Sequence, residues 1–217
     1  MEGWHPAFEE YTEAVYELRE DDVDVIQARL AERLEVSRPA VSEMIRRMVE
    51  ADLVEVTGGT IRLTQAGTAI AERTVRRHRI AERFLTDLLG LPWHTAHEEA
   101  GKWEHVISET VEHAMLDVLG HPTTCPHGNP IPGADYVVPD TVHLTEVEVG
   151  GDFVVQRIPE SLEFADGLLE YLEDAHLVPG QRGLVTASSP DGTMTVDIGG
   201  STVGIGAFAS ARILVSR

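Results

Sequence analysis

Two long amphipathic runs joined at a proline constrain this chain most. From Thr64 to Gly90, apolar residues at Ile70, Val75, Ile80, Phe84, Leu85, Leu88 and Leu89 recur near a 3.6-residue period, which predicts one helix closed by Pro92. From about His94 to Leu119, a stripe of Trp103, Val106, Ile107, Val111, Met115, Leu116 and Leu119 predicts an antiparallel partner helix after a short turn. A chain with such a pair must bury the two stripes against each other.

The same runs carry imidazole and carboxylate groups. His78 and Glu82 stand four residues apart and so share a helix face. His97, Glu104 and His105 occupy relative positions 0, 7 and 8 on the second run, with the first two separated by about 10 Å along a helix axis. One ion cannot span that distance, so the spacing predicts one metal site near His78, Glu82 and His97 and another near Glu104 and His105. Taken singly, such residues mostly form a solvated polar helix face; their clustering brings the metal reading level with that one. Mixed imidazole and carboxylate suit manganese, iron(II), zinc, cobalt or nickel rather than magnesium or calcium alone.

At 217 residues and 42% hydrophobic, the chain is large enough for more than one compact unit. No apolar run approaches the roughly 20 residues that span a bilayer, and no signal-peptide profile opens the sequence, so a cytoplasmic protein without a membrane partner is expected. The single cysteine, Cys125, excludes internal disulfides and a multi-thiolate zinc knuckle within one chain.

A net charge of −20 argues against a nucleic-acid partner, but its distribution does not. Residues 1–84 hold 12 of the 17 basic and 17 of the 37 acidic side chains, a net of −5, whereas the remainder carries −15. One lysine, Lys102, stands against 16 arginines and 37 acids, a surface suited to very high salt; a halophilic archaeal source is the expectation.

The base-richer end reads as a DNA reader. Glu9 to Leu18, Val23 to Leu34 and Arg38 to Ala51 form three short amphipathic segments, with Ser37 placed to cap the third and Pro39 in its first turn. That is helix-turn-helix spacing. The following "DLVEVTGGTIRLT" alternates around Gly58-Gly59, a two-residue hairpin signal and hence a wing. Arg46 and Arg47 are candidates for phosphate, and Ser37, Pro39, Ala40 and Glu43 for base edges. Beyond Gly150, "DFVVQRI", "RGLVTAS", "TMTVDIG", "STVGIG" and "ARILVS" read as short strands of a small barrel, with "SLEFADGLLEYLEDAHLVPG" as a helical break between the first two.

With both ends in view, the chain resembles the diphtheria toxin repressor family of iron- and manganese-dependent transcriptional regulators. "YTEAVYEL", "ARLAERLEVSRPAVSEMIRRM", "HRIAERFLTDLLGL", "HEEAGKWEHV" and "GNPIPG" carry the resemblance in the family's order, over residues 9 to about 133. It implies a mainly α fold with a smaller β part: a winged helix-turn-helix domain over 1–64, a helical metal-binding and dimerisation domain over 65–140, and an SH3-like domain over 141–217. It implies two ions per chain, Fe(II) or Mn(II). His78, Glu82 and His97, with Glu160 and Glu163, match the ancillary site; Glu163 replaces the usual Gln. Glu104 and His105 match the primary site, with Glu10 where iron-type members have Met, Gly101 where they have Cys, and Glu13 where manganese-type members add a carboxylate; His78 joins the primary site in those members. Loss of sulfur hardens the site toward manganese or iron(II). The family pattern also assigns Ser37 and Pro39 to thymine methyls, and Ser42, Arg47 and Asn129 to phosphates, while Glu43, Gln in iron-type relatives, points to an altered operator base pair. The expected protein is a homodimeric, metal-activated repressor of iron or manganese homeostasis that binds double-stranded operator DNA and is not an enzyme. Its rivals are a winged-helix regulator indifferent to metal, a metallohydrolase, and a protein-docking role for the acidic C-terminal domain.

Overall fold

The computed structural model describes residues 6–217, so the first five residues of the expected 1–64 unit lie outside it. Three hydrophobic cores follow one another along the chain. The first lies among α1 (Pro6–Glu20), α2 (Gln27–Arg33), α3 (Arg38–Glu50) and the hairpin β1 (Val54–Thr57) and β2 (Thr60–Leu63). Leu30, Val41, Met48, Leu53 and Ile61 are fully enclosed there. Ser37 caps α3 by accepting from the Ala40 N–H at 3.3 Å, with Pro39 in the first turn as expected. Gly58 and Gly59, at φ +61° and +89°, supply the left-handed pair that a tight two-residue hairpin needs, and Val54 pairs with Leu63. The expected second helix is shorter than Val23 to Leu34. Its first residues run extended because the Val25 carbonyl accepts the Ile61 N–H at 2.8 Å and so joins the wing.

The second core belongs to α4 (Gln65–Arg83), α5 (Trp93–Trp103) and α6 (Glu109–Leu119). Thr64 caps α4 by accepting from Gly67, and the helix passes into a wide π turn over Phe84–Leu88 before the left-handed Gly90. The expected single helix from His94 to Leu119 is two helices. The Ile107 N–H still reaches the Trp103 carbonyl, but Ser108 then adopts extended backbone and caps α6 through the Val111 N–H. The stripe is divided accordingly: Ile107, Met115 and Leu116 are buried, whereas Val106 and Val111 face outward.

The third core is enclosed by an antiparallel sheet in the order β3-β8-β4-β5-β6-β7: β3 (Val142–His143), β4 (Asp152–Arg157), β5 (Arg182–Ser188), β6 (Met194–Ile198), β7 (Ser201–Ile205) and β8 (Leu214–Ser216). This is the SH3-like unit. Short helices α7 (Glu160–Glu163) and α8 (Leu168–Asp174) interrupt it between β4 and β5, as the sequence predicts, and α9 (Ala207–Ser210) precedes β8. Trp93, the first residue of α5, buries its ring in this third core and donates its backbone N–H to the Glu173 carboxylate at 2.9 Å, which docks the sheet against the helical unit.

Candidate metal centre

Four helices converge on one buried set of imidazoles and carboxylates. α4 projects His78 and Glu82 from one face, a turn apart, as their spacing requires. The Nε2 of His78 lies 3.2 Å from Glu82 Oε1 and 3.2 Å from His97 Nδ1 on α5; its Nδ1 lies 2.5 Å from Glu104 Oε2. His78 therefore bridges the two groups that the sequence spacing separates. On the Glu104 side, Glu13 from α1 completes a buried Glu13–His78–Glu104 cluster. On the other, His97 meets Glu160 and Glu163 of α7, with His97 Nδ1 3.0 Å from Glu82 Oε1 and 3.2 Å from Glu163 Oε2.

The electrostatics of the two sides differ. Burial, then the neighbouring Glu104 and Glu17, push the Glu13 carboxyl well above its usual range. Burial also works against ionisation of Glu82, but His127 and His78 overcome it and hold that carboxyl well below the usual range. Burial and Glu163 raise Glu160 to about 8. Burial disfavours a charged His97, yet contacts with Glu163 and Glu82 raise it to about 10. Two buried oxygens, Glu160 Oε1 and Glu163 Oε2, make no aligned hydrogen bond, although the Nδ1 atoms of His127 and His97 stand 2.9 and 3.2 Å from Glu163 Oε2. Carboxylate oxygens left in that state inside a protein are costly unless a cation meets them, so this donor set fits a divalent ion.

Not every expected ligand reaches the cluster's centre. Glu10 is exposed at the rim of a cleft of about 460 Å³ that Glu13, His78, Gly101 and Glu104 also line. An added Cβ at Gly101 would meet nothing within 4 Å, so the position leaves space. His105 turns its Nδ1 to Glu9 Oε2 at 2.9 Å and keeps its Nε2 3.2 Å from Glu104 Oε1. Sequence spacing missed Glu9, Glu17 and His127. Glu17 is buried beside Glu13 and bound by Arg33, and His127 lies 2.9 Å from Glu163 Oε2.

A second network ties the units together. Arg79, wholly buried, donates to Glu20 on α1 at 2.7 and 3.1 Å and to the Pro130 carbonyl, and lies 3.4 Å from Glu160. Arg157 at the end of β4 donates to Glu20 and Asp21 at 2.9 and 3.1 Å, while Asp21 accepts from the Ser161 N–H. The end of α1 is thus gripped from both other units.

Ser37, Pro39, Ala40, Ser42, Glu43 and Arg47 all lie exposed on α3. Glu43 is engaged by Arg46, which also reaches Glu50, and the Arg47 guanidinium sits 5.4 Å over the Phe8 ring. Asn129 does not share that surface. It is completely buried, its amide donates to the Ile158 carbonyl and to Glu163, and its oxygen accepts from Arg157. Asn129 is therefore not placed for the phosphate contact expected of it, because both ends of its side chain are spent inside the protein.

Comparison with known proteins agrees along the length of the chain. The profile of the iron dependent repressor N-terminal DNA binding domain matches residues 5–59, that of the iron dependent repressor metal binding and dimerisation domain matches residues 64–133, and the FeoA domain matches residues 142–217. The iron-dependent repressor IdeR of Mycobacterium tuberculosis is 41% identical over 206 residues, covering 88% of each chain. The diphtheria toxin repressor of Corynebacterium diphtheriae is 44% identical over 128 residues, 58% of this chain and 57% of that one. Among solved structures, a manganese-dependent transcriptional repressor in complex with manganese superposes with a TM-score of 0.85 at 32% identity, covering 96% of this chain and 98% of the other.

Proposed function

The chain belongs to the iron-dependent repressor family, and on that premise we propose that it is a homodimeric repressor whose operator binding is switched by Fe(II) or Mn(II), with two ions per chain. One observation carries the mechanism: Glu13, a residue of the DNA-reading unit, lies in the same buried cluster as His78 and Glu104 of the helical unit. We assign Glu13, His78, Glu104 and His105, with Glu10 at the rim, to the primary site, and Glu82, His97, Glu160 and Glu163, again with His78, to the ancillary site. A divalent cation supplies positive charge that offsets these carboxylates.

Without that charge, Glu13, Glu17 and Glu104 face one another across the joint between α1 and the helical unit, and burial with this repulsion pushes the Glu13 carboxyl well above its usual range. With it, the repulsion between Glu13 and Glu104 is offset, and α1 is fixed against α4 and α5. α3 is packed on α1 through the first core, so its exposed N-terminal half is fixed too. The joint thereby selects one spacing of the two recognition helices in a dimer, the condition for reading two half-sites. Glu160 and Glu163 give the SH3-like unit its own hold on the cluster.

Ser37, Pro39, Ala40, Ser42, Glu43 and Arg47 form the DNA-reading face, with Glu43 able to accept from a cytosine amino group. Leu88, Leu89, Val106, Val111 and Val118 are left exposed on the helical unit, apolar surface that supports dimerisation there. The absence of sulfur from the primary donor set supports Mn(II) or Fe(II) over copper and zinc. The acid-rich, lysine-poor composition supports a halophilic source. Selection from a random-sequence duplex library in high salt tests the assignment. A palindromic consensus is expected with Mn(II) and none with chelator; equal enrichment in both would remove metal control.

A further inference from the structure

Val41, Ile45 and Met48 turn the buried face of α3 into the first core. At about 100° per residue, Pro39, Glu43, Arg46 and Glu50 then fall on the opposite, outward side, and all four are exposed. Pro39 and Glu43 belong to the DNA-reading face already described, so Arg46 and Glu50 continue that face toward the helix C-terminus. Arg47 is turned about 100° away from Arg46 and carries its guanidinium to the Phe8 ring of α1.

Arg46 is held in a fixed place on this stripe. Its Nη2 and Nε donate to the two oxygens of Glu43 at 2.5 and 3.2 Å, and its Nη1 donates to Glu50 Oε1 at 2.5 Å. The guanidinium holds the Glu43 carboxyl below its usual range. Two carboxylates against one guanidinium leave the stripe net negative, whereas a stripe built to neutralise phosphates would be positive. Exposed pairs at this spacing stabilise a helix only slightly, so they yield readily to a stronger partner. The major-groove edge of a C·G pair offers partners for both charges: the cytosine amino group donates to a carboxylate, and guanine O6 and N7 accept a bidentate guanidinium. Residues three apart on a helix rise about 4.5 Å, against about 3.4 Å per base step, so side chains at 43 and 46 reach the same or neighbouring base pairs. A carboxylate facing the acceptor atoms of thymine or guanine is repelled there, which turns the charge of Glu43 into a filter.

We propose that Arg46 reads guanine as the partner of Glu43, the two acting as one unit specific for a cytosine and a guanine on the same or adjacent base pairs. Glu50 holds the guanidinium in line while DNA is absent. Arg46 thereby moves from the phosphate contact that its charge alone suggests to base readout. The assignment rests on the repressor reading and adds a residue that reading leaves idle.

Selection from random duplexes with the full-length protein, Mn(II) and high salt, repeated for three variants at these exposed positions, tests it. The native chain should enrich a cytosine and a guanine within one base step of each other in each half-site. Glu43→Gln should move the cytosine position toward adenine, the base that a carboxamide reads in bidentate fashion. Arg46→Ala and Arg46→Lys should both lose the guanine preference, by about 5–150-fold for one good bidentate contact, because lysine keeps the charge but not the fork. A phosphate contact behaves otherwise: Arg46→Ala would weaken all sequences alike and lower the salt slope by about one, and Arg46→Lys would restore both. That result, or a consensus unchanged in Arg46→Ala, overturns the proposal. Failure of metal control reads out separately, since a native consensus that forms equally with chelator leaves the comparison of Arg46 variants intact. A native chain that enriches no sequence removes both readings.

Discussion

The two sides of His78 are built from similar residues and do different work. Toward Glu104 and Glu13 the donors are carboxylates contributed by separate units, and burial with mutual repulsion pushes Glu13 well above the usual carboxyl range. Toward Glu82, His97 and Glu163 the carboxylates are matched by imidazoles, and Glu82 and Glu163 are held ionised below their usual range by His127 against the opposing effect of burial. On the proposed reading, the under-compensated first side is the one that an arriving charge moves, and the more nearly balanced second side is a fixed anchor. Charge balance, more than ligand identity, separates a switch from a brace here.

The strongest way to break this contrast is to remove what both sides share. His78→Ala should abolish stabilisation by Mn(II), which for a site at a hundredfold excess over its Kd is about 2.7 kcal/mol, and metal-dependent DNA binding with it. Differential scanning fluorimetry at fixed high salt measures the first. A shift of native size in a folded variant would show that neither cluster depends on His78. Glu13→Gln is the narrower cut. It keeps the volume and the anchor but removes the DNA-reading unit's charge from the joint, so Mn(II) should still raise the melting temperature while its effect on DNA affinity falls by the usual 5–150-fold of an allosteric coupling. Undiminished coupling in a titration with and without metal would move the switch elsewhere, to the Arg79–Glu20–Arg157 network.

Local patterns made the ends of the molecule legible. Ser37, Pro39 and Gly58-Gly59 act within a few residues of themselves, so the cap, the helix start and the wing could be read directly. His78 with Glu82 was equally plain, since four residues on a helix fix their own geometry. The break after Trp103 was not legible, because the stripe continues through it and only the Ser108 cap betrays it. The bridging role of His78 was implied by the family resemblance but not by spacing, because it depends on how two helices pack. Glu9 and His105 are 96 residues apart in sequence, and no periodicity relates them. Asn129 shows the converse failure: a residue type suited to phosphate contact is consumed by Arg157 and Glu163, partners that only the docked SH3-like unit brings near.

The anchor side makes a pH prediction whose sign follows from two shifts in the metal-free protein. His97, raised from 6.5 to about 10, contributes stability that is complete below its ordinary value and is lost as pH climbs toward 10. Glu160, raised from 4.5 to about 8, stays protonated in the fold while the unfolded chain ionises, so it costs increasing stability from 4.5 up to about 8. Both effects run the same way between about 6.5 and 8, and melting with chelator should occur at lower temperature as pH rises through that window. Metal binding displaces those protons and should tighten over the same range. A metal-free melting temperature that climbs with pH would mean that neither group carries its proton in the fold.

The smallest expected effect tests how much the switch side lost with its missing side chain. Gly101 lies inside α5, and its φ is outside the left-handed region. Gly101→Ala should stabilise the protein by about 0.5–1 kcal/mol, the ordinary gain from replacing glycine within a helix. The methyl group brings no donor atom and meets nothing within 4 Å, so the manganese response should stay as it is. If the response weakens instead, position 101 is being used as open space, with water or the approach of Glu10 filling it. Gly101→Glu separates those cases. An added carboxylate that strengthens the Mn(II) shift marks the space as an empty ligand position, whereas one that abolishes it marks a path the native site needs open.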